Sequence, residues 1–192
     1  GPQWLMIAPI RGFLDGALII AFLLVIGGAF SVIQATGTLE FAIKRVTAAL
    51  TTRPTLEKLL IPVMMVLFSL GGSVFGMGEE TIPFILIFVP LALSLGYDSI
   101  VGVSIPFLGA AAGFAAAFFN PFTVGVAQGL VGLPLYSGLG YRVVTWFLGT
   151  AVVVAWVMVY AARVKRRPET RPVFELARGR DLSAYAQQSG VE

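Results

Sequence analysis

The sequence predicts an all-α polytopic membrane protein containing a re-entrant helical hairpin and a broken transmembrane helix. Three observations carry that prediction. The chain is 57% hydrophobic and only 12% charged, with a mean hydropathy of +0.89, against roughly 25% charge in soluble domains. Two adjacent acids, Glu79 and Glu80, sit in a glycine-rich turn between the apolar runs Leu59–Leu70 and Ile82–Leu95. Asn120-Pro121 interrupts a long apolar stretch further on. An ionisable side chain at membrane depth costs several kcal/mol unless it faces protein or water, so the two acids are functional candidates.

Charge narrows the class. The net charge is +3, and the basic residues cluster at Lys44–Lys58 and Arg163–Arg180. Basic clusters beside apolar spans read as cytoplasmic flanks rather than a nucleic-acid surface, so no nucleic-acid partner is expected. Several segments approach the about 20 apolar residues that cross a bilayer, placing the chain in an inner membrane as a multi-pass protein. With no cysteine and no histidine, disulfides, thiolate metal sites and the commonest general base are all absent. No nucleophile motif follows a strand, and adjacent carboxylates cannot form the opposed pair of a glycosidase. The chain is therefore read as a non-enzyme.

Residues 1–37 hold the first transmembrane helix, about Leu14–Ile33, with Asp15 at its start where a carboxylate suits the helix dipole. Gly27-Gly28 offers a small-residue packing surface. Residues 38–55 carry Leu39, Ile43, Val46 and Leu50 at helical spacing opposite Glu40, Lys44 and Thr47, which predicts an amphipathic interfacial helix. Residues 56–97 form the hairpin, Leu56–Phe75 and Thr81–Leu95, joined by a turn rich in glycine. A pair of full spans with the acids in an external loop is the competing reading. The glycines and the short second arm favour a tip near the midplane, where irregular backbone is tolerated only along a cavity.

Residues 98–131 form the broken helix. Unbroken, Ser99–Leu130 would run roughly 48 Å against a core of about 30 Å. Pro121 lacks an N–H and biases Asn120 away from the helical region, so the break is expected near Phe118–Thr123, followed by a half-helix Val124–Leu130. Residues 132–167 hold a glycine-rich loop and the last transmembrane helix, about Tyr141–Val164. Residues 168–192 read as a polar cytoplasmic linker or tail.

Half-helix N-termini attract anions and unwound carbonyls coordinate Na⁺ at such midplane breaks. The substrate- and ion-binding candidates are Ser73, Gly78, Glu79, Glu80 and Thr81 at the tip, and Asn120, Pro121, Thr123 and Gly125 at the break. Consecutive residues on a helix point about 100° apart. One glutamate is therefore expected to line the site while the other caps the next helix or pairs with a cation. No cofactor is expected beyond a coupling Na⁺ or H⁺, with Na⁺ near Glu79 and Asn120. The constellation points to a solute transporter; with the resemblance described next, it implies secondary active transport, ion-coupled or by exchange, of a small carboxylate-bearing metabolite. The alternatives are a channel subunit with an acidic selectivity ring, or a structural membrane subunit whose acids pair with a partner's arginine.

The run Gly76-Met77-Gly78-Glu79-Glu80-Thr81-Ile82-Pro83-Phe84, with Gly96-Tyr97-Asp98 beyond it, resembles the C4-dicarboxylate anaerobic carrier family. Phe119-Asn120-Pro121-Phe122 followed by Gly125, and Ile26-Gly27-Gly28-Ala29-Phe30, are similar to a branch of that family described as basic amino acid antiporters. The resemblance covers about Pro9–Pro172. It implies membership of the ion transporter superfamily, built from two inverted repeats, each with a re-entrant hairpin and a broken helix. Glu79, Glu80 and Thr81 would then be tip residues, and Asn120 and Pro121 the break. The first span would belong to a scaffold and the rest to a mobile transport domain. Family members are roughly twice this long, so the chain is expected to be one repeat of the N-terminal half, without an initial span. Its partners would be lipid, the small-molecule substrate and the second half of the same transporter, the whole forming a homodimer. The substrate stays open between a C4-dicarboxylate and a basic amino acid.

Overall fold

A computed structural model describes residues 3–167, and every described element is helical. The predicted tail at 168–192 and the side chain of Asp15 lie outside what is described. The chain divides into two compact units, residues 1–39 and 40–192.

In the first unit, α1 (Gln3–Asp15) and α2 (Ala17–Ala35) follow one another with Gly16 between them. The predicted first span, about Leu14–Ile33, falls mostly on α2, and a separate helix precedes it. Pro9 is carried inside α1. Within this unit nothing packs closely against Gly28. Helix α3 (Thr38–Thr51) occupies the segment read as amphipathic.

The second unit is built on α4 (Pro54–Val74), α5 (Thr81–Ser94), α6 (Ser99–Ala115) and α8 (Leu139–Arg166). Pro54 sits at the first helical turn of α4, where its missing N–H costs nothing. Asp98 starts α6 by accepting a hydrogen bond from the Val101 N–H at 3.0 Å. Two helices among the described residues are long and apolar enough to cross a membrane, Thr55–Val74 and Leu139–Arg166. By contrast, α5 and α6 are shorter, 14 and 17 residues, or about 21 and 25 Å.

Ile61, Met65 and Phe68 of α4, Phe88 and Leu91 of α5, Val101 and Ile105 of α6, and Val157, Ala161 and Val164 of α8 form the buried core. Phe68 meets the edges of Phe84 and Phe88 with ring centroids 5.2 and 5.7 Å apart. Backbones also approach closely. A Cβ on Gly113 would stand 1.8 Å from the Ser69 carbonyl oxygen, and one on Gly72 2.2 Å from that of Ala110. Glycine is what lets α4 and α6 touch along this line.

Helix α6 ends at Ala115; irregular backbone comes next, then a π-helical turn, Pro121–Gly125, and the short α7 (Val126–Leu130). The irregular stretch, 116–120, starts slightly earlier than the proline rule suggests. Beyond Pro121 the chain makes a wider turn before α-helix resumes, because the Asn120 carbonyl accepts from both Val124 and Gly125 N–H, at 2.9 and 3.1 Å. The loop from 131 to 138 is held by buried Gln128. Its Oε1 accepts from the Tyr136 N–H at 2.6 Å, and its Nε2 donates to the Ser137 carbonyl at 3.0 Å.

Candidate functional site

The turn after α4 and the break after α6 satisfy one another's backbone. The last carbonyls of any helix lack intrahelical partners. Here the Gly72 carbonyl accepts from Asn120 Nδ2 at 3.1 Å, and the Ser73 carbonyl accepts from the Phe119 N–H at 3.2 Å. In return, Ser73 Oγ accepts the freed Phe118 N–H at 3.1 Å. Asn120 Oδ1 accepts from the N–H groups of Phe122 at 2.8 Å and Thr123 at 3.3 Å, which opens the following turn. Ser73 and Asn120 are both fully buried. Gly76 closes the joint from the turn side with φ +75°; a Cβ there would be strained and would lie 2.7 Å from the Phe122 ring. Of the predicted site residues, this joint gathers Ser73, Asn120, Pro121, Thr123 and Gly125. Thr123 Oγ1 is buried without a hydrogen-bond partner.

The acids lie on the other side of the turn. Glu80 Oε2 accepts from the Gly78 N–H at 3.0 Å, and Thr81 Oγ1 donates to the Gly78 carbonyl at 2.7 Å. Glu80 is therefore spent folding the turn, although its side chain makes no cap bond to α5. Glu79 instead lines an open cleft of about 330 Å³ together with Met77, Gly78, Thr81, Phe107, Ala110, Ala111, Phe114 and Ala115. Both acids are exposed, and no hydrogen bond joins either to Asn120. Neither acid has a basic partner among the described residues. Sequence reasoning missed the α6 wall of this cleft. Its residues recur at helical spacing, 107, 110, 111, 114 and 115, and that was the available signal.

Two further polar groups tie the unit together. Ser69 Oγ bonds Thr150 Oγ1 at 2.7 Å and accepts from the Trp146 indole at 2.9 Å, fastening α4 to α8 one turn before Ser73. At the opposite end of α4, Glu57 accepts from the Tyr97 hydroxyl at 3.2 Å and pairs with Lys165. Tyr160 donates to Asp98 at 2.7 Å. Burial, then the Glu57 charge and hydrogen bond, push the Tyr97 phenol up to about 12. Among the described residues, no group of three or more His, Cys, Asp or Glu could hold a metal.

Two span-length apolar helices beside two shorter apolar ones are consistent with a membrane protein. The C4-dicarboxylate anaerobic carrier family model matches residues 9–189, and the chain belongs to that family. It is 45% identical over 177 residues to the "Putative basic amino acid antiporter YfcC" of Escherichia coli, covering 89% of this chain and 34% of that protein. It is 33% identical over 159 residues to an uncharacterized protein of Haemophilus influenzae, covering 83% of this chain and 31% of that protein. The chain thus spans about a third of the length of these relatives, where the resemblance had suggested half. No solved structure matches it.

Proposed function

We propose that this chain is the hairpin and broken-helix portion of a secondary transporter of the inner membrane, and that its cleft takes the cationic end of a basic amino acid. The carrying observation is the composition of the cleft. Glu79 is its one ionisable lining residue and no lysine or arginine lines it. A dicarboxylate would bring negative charge to a site holding only a carboxylate, while a cation would be drawn to it. Phe107 and Phe114 supply faces against which an alkyl stem or a guanidinium can pack. The printed name of the Escherichia coli relative agrees with that class.

The short second arm, α5, and the short α6 support a tip that turns back inside the membrane. So does the mutual satisfaction of Gly72, Ser73, Phe118, Phe119 and Asn120, since irregular backbone at depth must find protein partners. In this reading α4–α8 belong to the mobile transport domain, α2 to the scaffold and α3 to the interface. A second, inverted repeat completes the site, and the whole is a homodimer. Coupling to Na⁺ would use neutral oxygens at the break, Thr123 Oγ1 foremost, rather than a cluster of acids.

The test is counterflow in proteoliposomes containing the full-length protein. Labelled arginine or ornithine is expected to exchange saturably, succinate not, and Glu79→Gln to abolish exchange with membrane insertion intact. Exchange undiminished in Glu79→Gln would remove the acid from the mechanism. Succinate exchange would reverse the substrate class, and unsaturable flux would favour a pore.

A further inference from the structure

The basic end of α8 has one face turned into the protein and another turned out. Val157, Ala161 and Val164 are buried, and Lys165 pairs with Glu57 while its ammonium lies 4.9 Å over the Tyr97 ring. On the outward side, Val159, Ala162, Arg163, Arg166 and Arg167 line an open cleft of about 430 Å³. These positions recur at helical spacing, so three guanidinium groups share one surface above an apolar strip. Trp156 and Tyr160 stack one to two turns below, ring centroids 6.3 Å apart, and Trp156 is 61% exposed. Tryptophan and tyrosine at this depth mark the level where acyl chains give way to headgroups. Arginine forks suit phosphate geometry. Two carboxylates pack against this end from the inward face: Glu57 is held by Lys165 and Tyr97, and Asp98 by Tyr160 and the Val101 N–H.

We propose that this outward face binds the headgroup of an anionic phospholipid. Arg163, Arg166 and Arg167 hold the phosphate, and the acyl chains run down over Ala162, Val159 and Trp156. The proposal does not depend on what the Glu79 cleft carries.

The experiment uses the full-length protein, delipidated and returned to nanodiscs of phosphatidylcholine with increasing phosphatidylglycerol, and reads lipid retained by native mass spectrometry. Each arginine near an anionic headgroup strengthens binding about fivefold, so Arg163→Gln with Arg166→Gln and Arg167→Gln should weaken it on the order of a hundredfold. Arg142→Gln, at the opposite end of α8, is the control and should leave retention unchanged. Selective phosphatidylglycerol retention lost only in the triple variant supports the site. Equal retention in that variant, or no preference for phosphatidylglycerol over phosphatidylcholine, overturns it. Thermal stabilisation by inorganic phosphate matching that of the lipid would also overturn it, because the site would then be a soluble-anion site. Should the triple variant fail to fold, Arg163→Gln alone is expected to reduce retention about fivefold, and no reduction would count against the proposal.

Discussion

Replacing Asn120 by alanine tests the joint between the turn and the helix break. The side chain is fully buried. It donates to the Gly72 carbonyl and accepts from the Phe122 and Thr123 N–H groups, at 3.1, 2.8 and 3.3 Å. Each such bond contributes about 1 kcal/mol net, so the full-length protein should lose roughly 3 kcal/mol. Ser73→Ala removes one bond, from the Phe118 N–H, and should cost about 1 kcal/mol. Asn120→Asp separates the two halves of the effect. It keeps both acceptor bonds but sets a carboxylate oxygen against the Gly72 carbonyl, so it should damage the joint while leaving the Pro121 turn capped. Unfolding midpoints in detergent, read by intrinsic fluorescence, give the order: wild type, Ser73→Ala, Asn120→Ala. Exchange in proteoliposomes should fall in the same order. An Asn120→Ala protein as stable and as active as wild type would refute the reasoning.

Other outcomes are expected from the same structure. Gly113→Ala should destabilise by several kcal/mol, measured by thermal unfolding, because the added methyl meets the Ser69 carbonyl at 1.8 Å and backbone cannot yield as a side chain can. Glu80→Gln should retain much of the exchange that Glu79→Gln abolishes, since an amide oxygen can still accept from Gly78 N–H; equal loss in both would contradict the division of roles. The Tyr97 phenolate signal, taken as the absorbance difference between wild type and Tyr97→Phe, should appear near pH 12 rather than 10. Because the folded state holds that proton more tightly, the stability it contributes is present below pH 10 and is lost as pH rises towards 12. Lys165→Ala should change stability by about 1 kcal/mol, as its side chain is 44% exposed and solvent screens the pair with Glu57.

The parts of this fold visible in the sequence are those set by local rules. Pro121 and Asn120 interrupt a helix because one lacks an N–H and the other is pushed out of the helical region. The glycines around Glu79 announce a turn, and the apolar length after it announces the short α5. Helix α1 was hidden because Pro9 and Arg11 disturb the pattern that marks a span, yet a helix can carry both. Pairings across the chain were not legible. Ser73 and Asn120 come together only because α4 and α6 pack along Gly72 and Gly113, and periodicity within either helix says nothing of which carbonyl meets which amide. The different settings of Glu79 and Glu80 were not legible: the expected helix cap or cation partner is not seen among the described residues, and Glu80 bonds the Gly78 N–H instead. The choice between them rests on that back-bond. The α6 wall of the cleft was read only as apolar helix, since Phe107, Ala111 and Phe114 look like lipid-facing residues until the turn is set beside them.

The central claim is that the acidic turn lies inside the membrane against a helix break. Gly78 is the position to probe, because nothing stands within 4 Å of where its Cβ would be, so a cysteine and a spin label fit there. In a cysteine-free full-length protein in bilayers, the oxygen-to-nickel accessibility ratio of that label should report a depth approaching the roughly 15 Å of the midplane. A ratio typical of bulk water or of the headgroup region would contradict the account.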